Sequence, residues 1–144
     1  MILVDANLLI YAVNKDAPEH EAAQRWLESA IAENGAIGFA WIVMLTFLRI
    51  TTMPRLFQRP LTVREALQTV EAWLEHPGVT VVHPGERHPR ILHDLLIKVG
   101  TAGNLTTDAH IAALAIEHHA ELCTVDRDFA KFPGLRWRNP LGSR

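Results

Sequence analysis

The chain has 144 residues, 49% of them apolar, with a formal net charge of −2 and a pI of about 6.4. That length suits one domain with one core, here residues 1–144, and the apolar share excludes disorder. The near-neutral balance excludes a bulk basic nucleic-acid coat protein, but not an enzyme that meets nucleic acid at one local patch. "MILVDA" opens the chain as a short buried strand. It lacks a basic leader region, and no later stretch reaches the ~18 apolar residues of a membrane span. A soluble cytoplasmic protein without membrane contact is therefore expected. "PEHEAAQRWLESAIAENG" predicts a helix: Pro18 suits its first turn, Ala23, Trp26, Leu27, Ala30 and Ile31 form its apolar stripe, and Gly35 is its stop. "AIGFA" is a second strand. "WIVMLTFLRITT" is too long for one strand and apolar all round, which predicts a deeply buried helix.

"PLTVREALQTVEAWLEHPG" carries the clearest helix signals. Thr62 and Glu65 fit a capping box, Ala66, Leu67, Val70, Trp73 and Leu74 form the stripe, and Pro77-Gly78 ends it. "VTVV" is a third strand. "HPRILHDLLIKVG" is a helix with Ile91, Leu92, Leu95, Leu96 and Val99 on one side, and "TAGNL" a loop. "TDAHIAALAIEHHA" is a helix burying Ile111, Leu114, Ala115 and His118. "ELCTV" is the fourth strand and "LRW" the fifth. The single cysteine, Cys123, lies in that fourth strand and reads as a buried, inert thiol. Short apolar strands alternating with helices imply an α/β fold with a mostly parallel five-stranded sheet covered on both faces.

Sites in such sheets form beyond the carboxyl ends of the strands. Asp5 directly follows the first strand and Asp126 the fourth. Asp108 opens a helix, after Thr106 and Thr107 as possible caps, and Asp128 lies two residues beyond Asp126. Each acid alone has a bland reading, as a helix-start acid or a turn residue. Together they place three or four carboxylates at one sheet edge. Convergent carboxylates repel unless a cation sits among them, and oxygen-only ligands select Mg²⁺ or Mn²⁺. The chemistry that follows is metal-dependent phosphodiester hydrolysis. The eight histidines show no metal spacing, and the His118-His119 pair reads as a helix-end feature. His110 lies close to Asp108. Trp26 and Trp73 read as core or interface.

"MILVDANLLIYA", "TDAHIAALA", "CTVDRDF" and the closing "FPGLRWRNP" resemble PIN domains, and within them the VapC-type toxins of bacterial toxin–antitoxin pairs. The likeness runs nearly end to end. It implies a PIN-like three-layer α/β/α sandwich and a Mg²⁺- or Mn²⁺-dependent ribonuclease. The family acids correspond to Asp5, Asp108 and Asp126, with Asp128 assisting. Asn7 stands at the small polar position of the first motif, and Thr124 at the hydroxyl position of the last. The resemblance further implies structured RNA, tRNA or rRNA, as substrate, a VapB-like antitoxin as partner, and a homodimer.

One position departs from the pattern. The family usually carries a glutamate in the helix after the second strand, in a context like "LEFLR"; here "MLTFLR" has Thr46. One negative charge is missing, and weaker metal affinity is expected. Arg49, one turn on, faces the same side, to hold a phosphate or to pair with a site acid. Exposed arginines such as Arg55 and Arg59 are expected to position an RNA backbone. The absent glutamate favours a competing reading, a PIN-like RNA- or protein-binding module of little or no activity. A phosphotransfer domain is a third reading, but "DANLL" lacks the second acid of a DxD pair and no acceptor acid follows "VTVV".

Overall fold

A computed structural model describes residues 1–33 and 35–142. Five strands form one sheet: β1 (Ile2–Val4), β2 (Ile37–Ala40), β3 (Val79–Val82), β4 (Glu121–Cys123) and β5 (Trp137–Arg138). Six helices alternate with them: α1 (Ala6–Val13), α2 (His20–Ala32), α3 (Trp41–Thr51), α4 (Val63–Glu75), α5 (His88–Val99) and α6 (Thr106–Glu117). The strand order is β3-β2-β1-β4-β5 and every pairing is parallel. The expected fold class is therefore correct, and the sheet is wholly rather than mostly parallel. β1 lies at its centre, so whatever leaves the end of β1 emerges mid-sheet.

β1 passes into α1 through Asp5 alone, and β2 passes into α3 with no residue between them. α2 and α4, at thirteen residues each, are about 20 Å long and bring the chain back to start β2 and β3. The end of α2 does lie at the amino edge: an ideal Cβ on Gly78, beside the start of β3, would stand 3.8 Å from the Ile31 carbonyl. α1 and α3 thus project past the carboxyl edge of the sheet. Their far ends are tied together, because Arg59, after α3, grips Asp16, after α1, through Nε and Nη2.

Three expectations change. "ANLLIYAV", to which pattern assigns no element, is α1, capped by the Asp5 carboxylate and burying Ala6, Leu8, Leu9 and Ala12. An eight-residue helix shows barely two turns of periodicity, so its pattern is weak in the sequence. α3 is not buried all round: Val43, Met44 and Phe47 enter the core, but Trp41 is 46% and Leu45 54% exposed. Its projection beyond the sheet leaves one face without a layer to cover it. Finally, α6 starts at Thr106 after a 3-10 turn at Gly103–Leu105, so Thr106 and Thr107 lie inside the helix and cap nothing; Thr106 Oγ1 donates back to the Gly103 carbonyl.

Elsewhere pattern and structure mostly agree. The Thr62–Glu65 capping box has both bonds, at 3.0 and 2.9 Å. Trp73 of α4 meets Phe39 and Phe47 edge-on at centroid distances of 5.7 and 5.1 Å, locking α4 across β2 and α3. Leu67, expected in the α4 stripe, is 41% exposed instead. Cys123 is fully buried, and burial pushes its thiol up to about 11, as an inert core residue requires.

The sheet is closely packed at Gly38. A Cβ there would stand 2.6 Å from Val82 Cγ2 and 3.1 Å from Met1 Sδ. Gly38→Ala is expected to destabilise the fold by about 1–3 kcal/mol through overpacking, read from urea unfolding. An unchanged midpoint would mean that β3 yields without cost.

Candidate functional site

Thr124, fully buried one residue past β4, links the ends of two strands that are far apart in the chain. Its hydroxyl donates to Asp5 Oδ2 at 2.7 Å. The hydroxyl oxygen in turn accepts from Asn7 Nδ2 at 3.1 Å and from the Asp126 amide at 3.0 Å. Asn7 Nδ2 also reaches Asp5 Oδ2 at 3.3 Å, and Asn7 Oδ1 accepts from the Val125 amide at 3.4 Å. Asp5 Oδ1 accepts from the Ala6 amide at 2.7 Å. Asp5, Asn7, Thr124 and Asp126 therefore form one connected polar network at the carboxyl edge. The parallel register explains the meeting, since Val4 pairs with Cys123 and carries the next residues together.

Burial raises the Asp5 carboxyl above its ordinary value; bonds from Thr124 and Ala6 oppose the shift, and the charge of Asp126 adds to it. Asp108 stands in the first turn of α6, half-buried. Burial, and then the charges of Asp126, Asp5 and Asp128, push it up to about 6, with Lys131 opposing. Those causes show that the four acids share one electrostatic neighbourhood. Asp126 caps the 3-10 turn Arg127–Lys131, accepting from the Asp128 amide at 2.9 Å. The bland reading of Asp126 as a turn residue and of Asp5 as a helix cap is thus also true; each does that work from within the cluster.

The donor set is all oxygen and crowded with negative charge, which fits a small hard cation. The arrangement is more open than expected. Among the described residues no three His, Cys, Asp or Glu side chains surround a common point that could hold an ion. Asp5 and Asp126 are drawn instead toward their own local donors.

Thr46 is half-buried on α3, and its hydroxyl donates to the Ile42 carbonyl at 2.8 Å. It contributes no charge, and its proton is used within its own helix. Arg49 is exposed and, among the described residues, forms no ion pair with a site acid. Arg59 is bound to Asp16, so its expected role on RNA is not supported by its surroundings. His110 pairs with His88 instead, its Nδ1 3.0 Å from His88 Nε2. The residue that sequence reasoning passed over is Lys131. Its only signal was its position at the end of the short turn that Asp126 begins.

A five-stranded parallel sheet with an acidic network at its carboxyl edge, joined by a buried threonine, defines the class. The family model that matches residues 2–135 is the PIN domain, and the chain belongs to that family. It is 45% identical over 140 residues to Ribonuclease VapC37 of Mycobacterium tuberculosis, covering 97% of each chain. It is 41% identical to Ribonuclease VapC33 of the same species, covering 98% of this chain and 99% of that one. Among solved structures, one chain of VapBC2 from Rickettsia felis, bound to a promoter DNA fragment, shares the fold with a TM-score of 0.70 at 22% identity, covering 96% and 98% of the two chains.

The raised Asp108 predicts the pH dependence of the metal-free protein. Its folded pKa of about 6 exceeds the ordinary 3.8, so between those values the folded state binds more protons than the unfolded. This acid's stabilising contribution is therefore full below about 4 and is lost as pH rises through 6. Melting temperature in EDTA should change between about pH 4 and pH 6.5 less favourably in the parent than in Asp108→Asn. Equal slopes for the two proteins would remove Asp108 from the coupled cluster.

Proposed function

We propose that this protein is a toxin endoribonuclease of the VapC type, hydrolysing RNA phosphodiester bonds with Mg²⁺ or Mn²⁺ as one half of a VapBC-type toxin–antitoxin pair. The observation that carries the reading is the Asp5–Thr124–Asp126 network beside Asp108 at the sheet edge, in a chain 45% identical to a VapC ribonuclease over almost its whole length. Residues 1–144 act as one catalytic unit.

Asp5, Asp108 and Asp126 would hold the cation, with Asp128 at the rim. Mg²⁺ usually keeps several waters and takes only one or two carboxylates directly, which suits an open acidic cluster. A bound divalent cation supplies Lewis acidity and offsets the charge building on the phosphate. The chain's own part is positioning. Thr124 and Asn7 fix the rotamer of Asp5, and the Ala6 amide fixes its other oxygen. Thr124 also holds the Asp126 backbone in register with Asp5. Lys131 places a positive charge near Asp108 and would be available to an RNA phosphate. The substrate class that fits is structured RNA, tRNA or rRNA. The partner is a cognate VapB-like antitoxin, whose basic side chain among the carboxylates would take the cation's place, and the toxin is a homodimer.

Thr46 favours a second reading, a PIN-like module of low activity, because the fourth family carboxylate is absent. Purified protein with cellular RNA and Mn²⁺ separates the two. Asp5→Asn, nearly isosteric, should abolish cleavage while leaving the fold intact by circular dichroism. Cleavage at the parent rate would exclude Asp5 from the chemistry.

Thr46→Glu should tighten divalent binding. In EDTA the added carboxylate is expected to lower the melting temperature through like-charge repulsion; Mg²⁺ or Mn²⁺ should then restore it by mass action. The readout is the metal-induced shift in melting temperature, compared with the parent. A shift no larger than the parent's would mean that position 46 does not face the acids.

A further inference from the structure

Charge is strongly segregated along this chain. Between Glu33 and Glu65 there are four arginines, Arg49, Arg55, Arg59 and Arg64, and no Asp, Glu, Lys or His. That stretch carries +4 in a chain of net −2, so the remainder carries −6. It comprises β2, α3, the loop after it and the first turn of α4. Most of it is the limb that projects beyond the carboxyl edge.

The four cations are not equivalent. Arg59 is held by Asp16, with two hydrogen bonds across the end of α1. Arg49, Arg55 and Arg64 are exposed and enter no ion pair among the described residues. The outer face of α3 also exposes Trp41 and Leu45, at i and i+4 to Arg49 at i+8, so the three form one stripe. Trp41 stands at the sheet end of that stripe. The β1–β2 register, Leu3 against Gly38, carries Asp5 opposite Ala40, the residue before Trp41. Adjacent strands lie about 4.8 Å apart, so the exposed Trp41 directly follows a residue about one strand spacing from Asp5. No aromatic ring pairs with it among the described residues.

We infer that this limb is the RNA-holding surface: Trp41 stacks an unpaired base beside the acidic site, and Arg49, Arg55 and Arg64 hold the phosphates that follow. The inference rests on the ribonuclease reading. Its chemistry is that of single-stranded nucleic-acid grooves, in which cations track the backbone and an aromatic face accepts any base. The acidic site repels the polyanion on which it acts, and an acid-free limb beside it supplies the opposing attraction. The substrate this selects is an exposed loop or single-stranded segment rather than an uninterrupted duplex, whose bases offer no free face.

The test is binding, measured apart from cleavage. The full chain carrying Asp5→Asn is titrated by fluorescence anisotropy with a labelled single-stranded RNA of mixed sequence, about 20 nucleotides long, across a salt series in EDTA. Replacing Arg49, Arg55 and Arg64 by Gln together should weaken binding and flatten the salt slope by about 0.7 for each phosphate no longer neutralised. Trp41→Ala should weaken it about five- to a hundred-fold, and Trp41→Phe should recover most of that effect. Arg59→Gln should leave affinity unchanged, because that side chain already serves Asp16. Retained affinity and slope in the triple variant would overturn the proposal. So would an unaltered RNA affinity accompanied by loss of self-association in sedimentation equilibrium, which would assign the face to a second copy of the chain. Failure of the parent to cut any RNA with Mg²⁺ or Mn²⁺ would sink the ribonuclease reading alone, while the binding series would still decide the limb.

Discussion

The hydrogen bond from Thr124 to Asp5, 2.7 Å long and spanning 119 residues, is the contact on which the site depends. It forms at the ends of the two central strands, where the buried Thr124 hydroxyl would otherwise have no acceptor for its proton and Asp5 Oδ2 would keep only the longer bond from Asn7. A buried polar group without a partner costs several times what the bond itself contributes net, so the pair specifies its own geometry. Asp5 also starts α1, and Thr124 also receives the Asp126 amide. A single threonine oxygen thus sets the register of the β1–α1 junction against the β4 junction. Moving either strand by one residue would break the network and turn every side chain of that strand to the opposite face.

The site is built against electrostatic preference. Four carboxylates share one neighbourhood, and burial together with the charges of the other three pushes Asp108 up to about 6. Strain of this kind is expected where function requires a charge pattern that stability would not choose. The opposing charge is placed nearby rather than within: Lys131 on the turn after Asp126, and the arginines of the projecting limb. Because the limb lies beyond the sheet, its cations remain exposed and do not neutralise the acids in the folded chain. Arg59 is the one tied down, and it serves as a structural link between the ends of α1 and α3.

Thr46 alters this balance. Where the family pattern places a glutamate, the threonine hydroxyl bonds to the Ile42 carbonyl of its own helix. If position 46 faces the acids, as proposed, one repulsion at the sheet edge is absent, and with it one candidate ligand. Asp128 is the remaining acid that acts electrostatically on Asp108, and it reaches the cluster from an exposed turn rather than from a packed helix. On the proposed reading, the fourth acid of the site is a solvated carboxylate at the rim.

Local patterns were enough for the α/β class, the parallel arrangement, the capping box at Thr62 and the three acids at strand and helix starts. Apolar runs of strand length, helical stripes and polar residues at the breaks all act over a few neighbouring positions. The motifs also located Asn7 and Thr124. The same patterns left α1 unassigned, because eight residues carry too little periodicity. They misjudged the outer face of α3, because an apolar composition reads the same whether or not a layer covers it. The projection of α1 and α3 past the sheet emerged in three dimensions alone, because it depends on where α2 and α4 return the chain. Packing likewise separated Arg59, bound to Asp16, from Arg49 and Arg55, since pairing partners 43 residues apart leave no local signal. The placement of the acids was legible because they stand directly after strands and at a helix start; their openness and the company of Lys131 were not, because separation in space is set by packing.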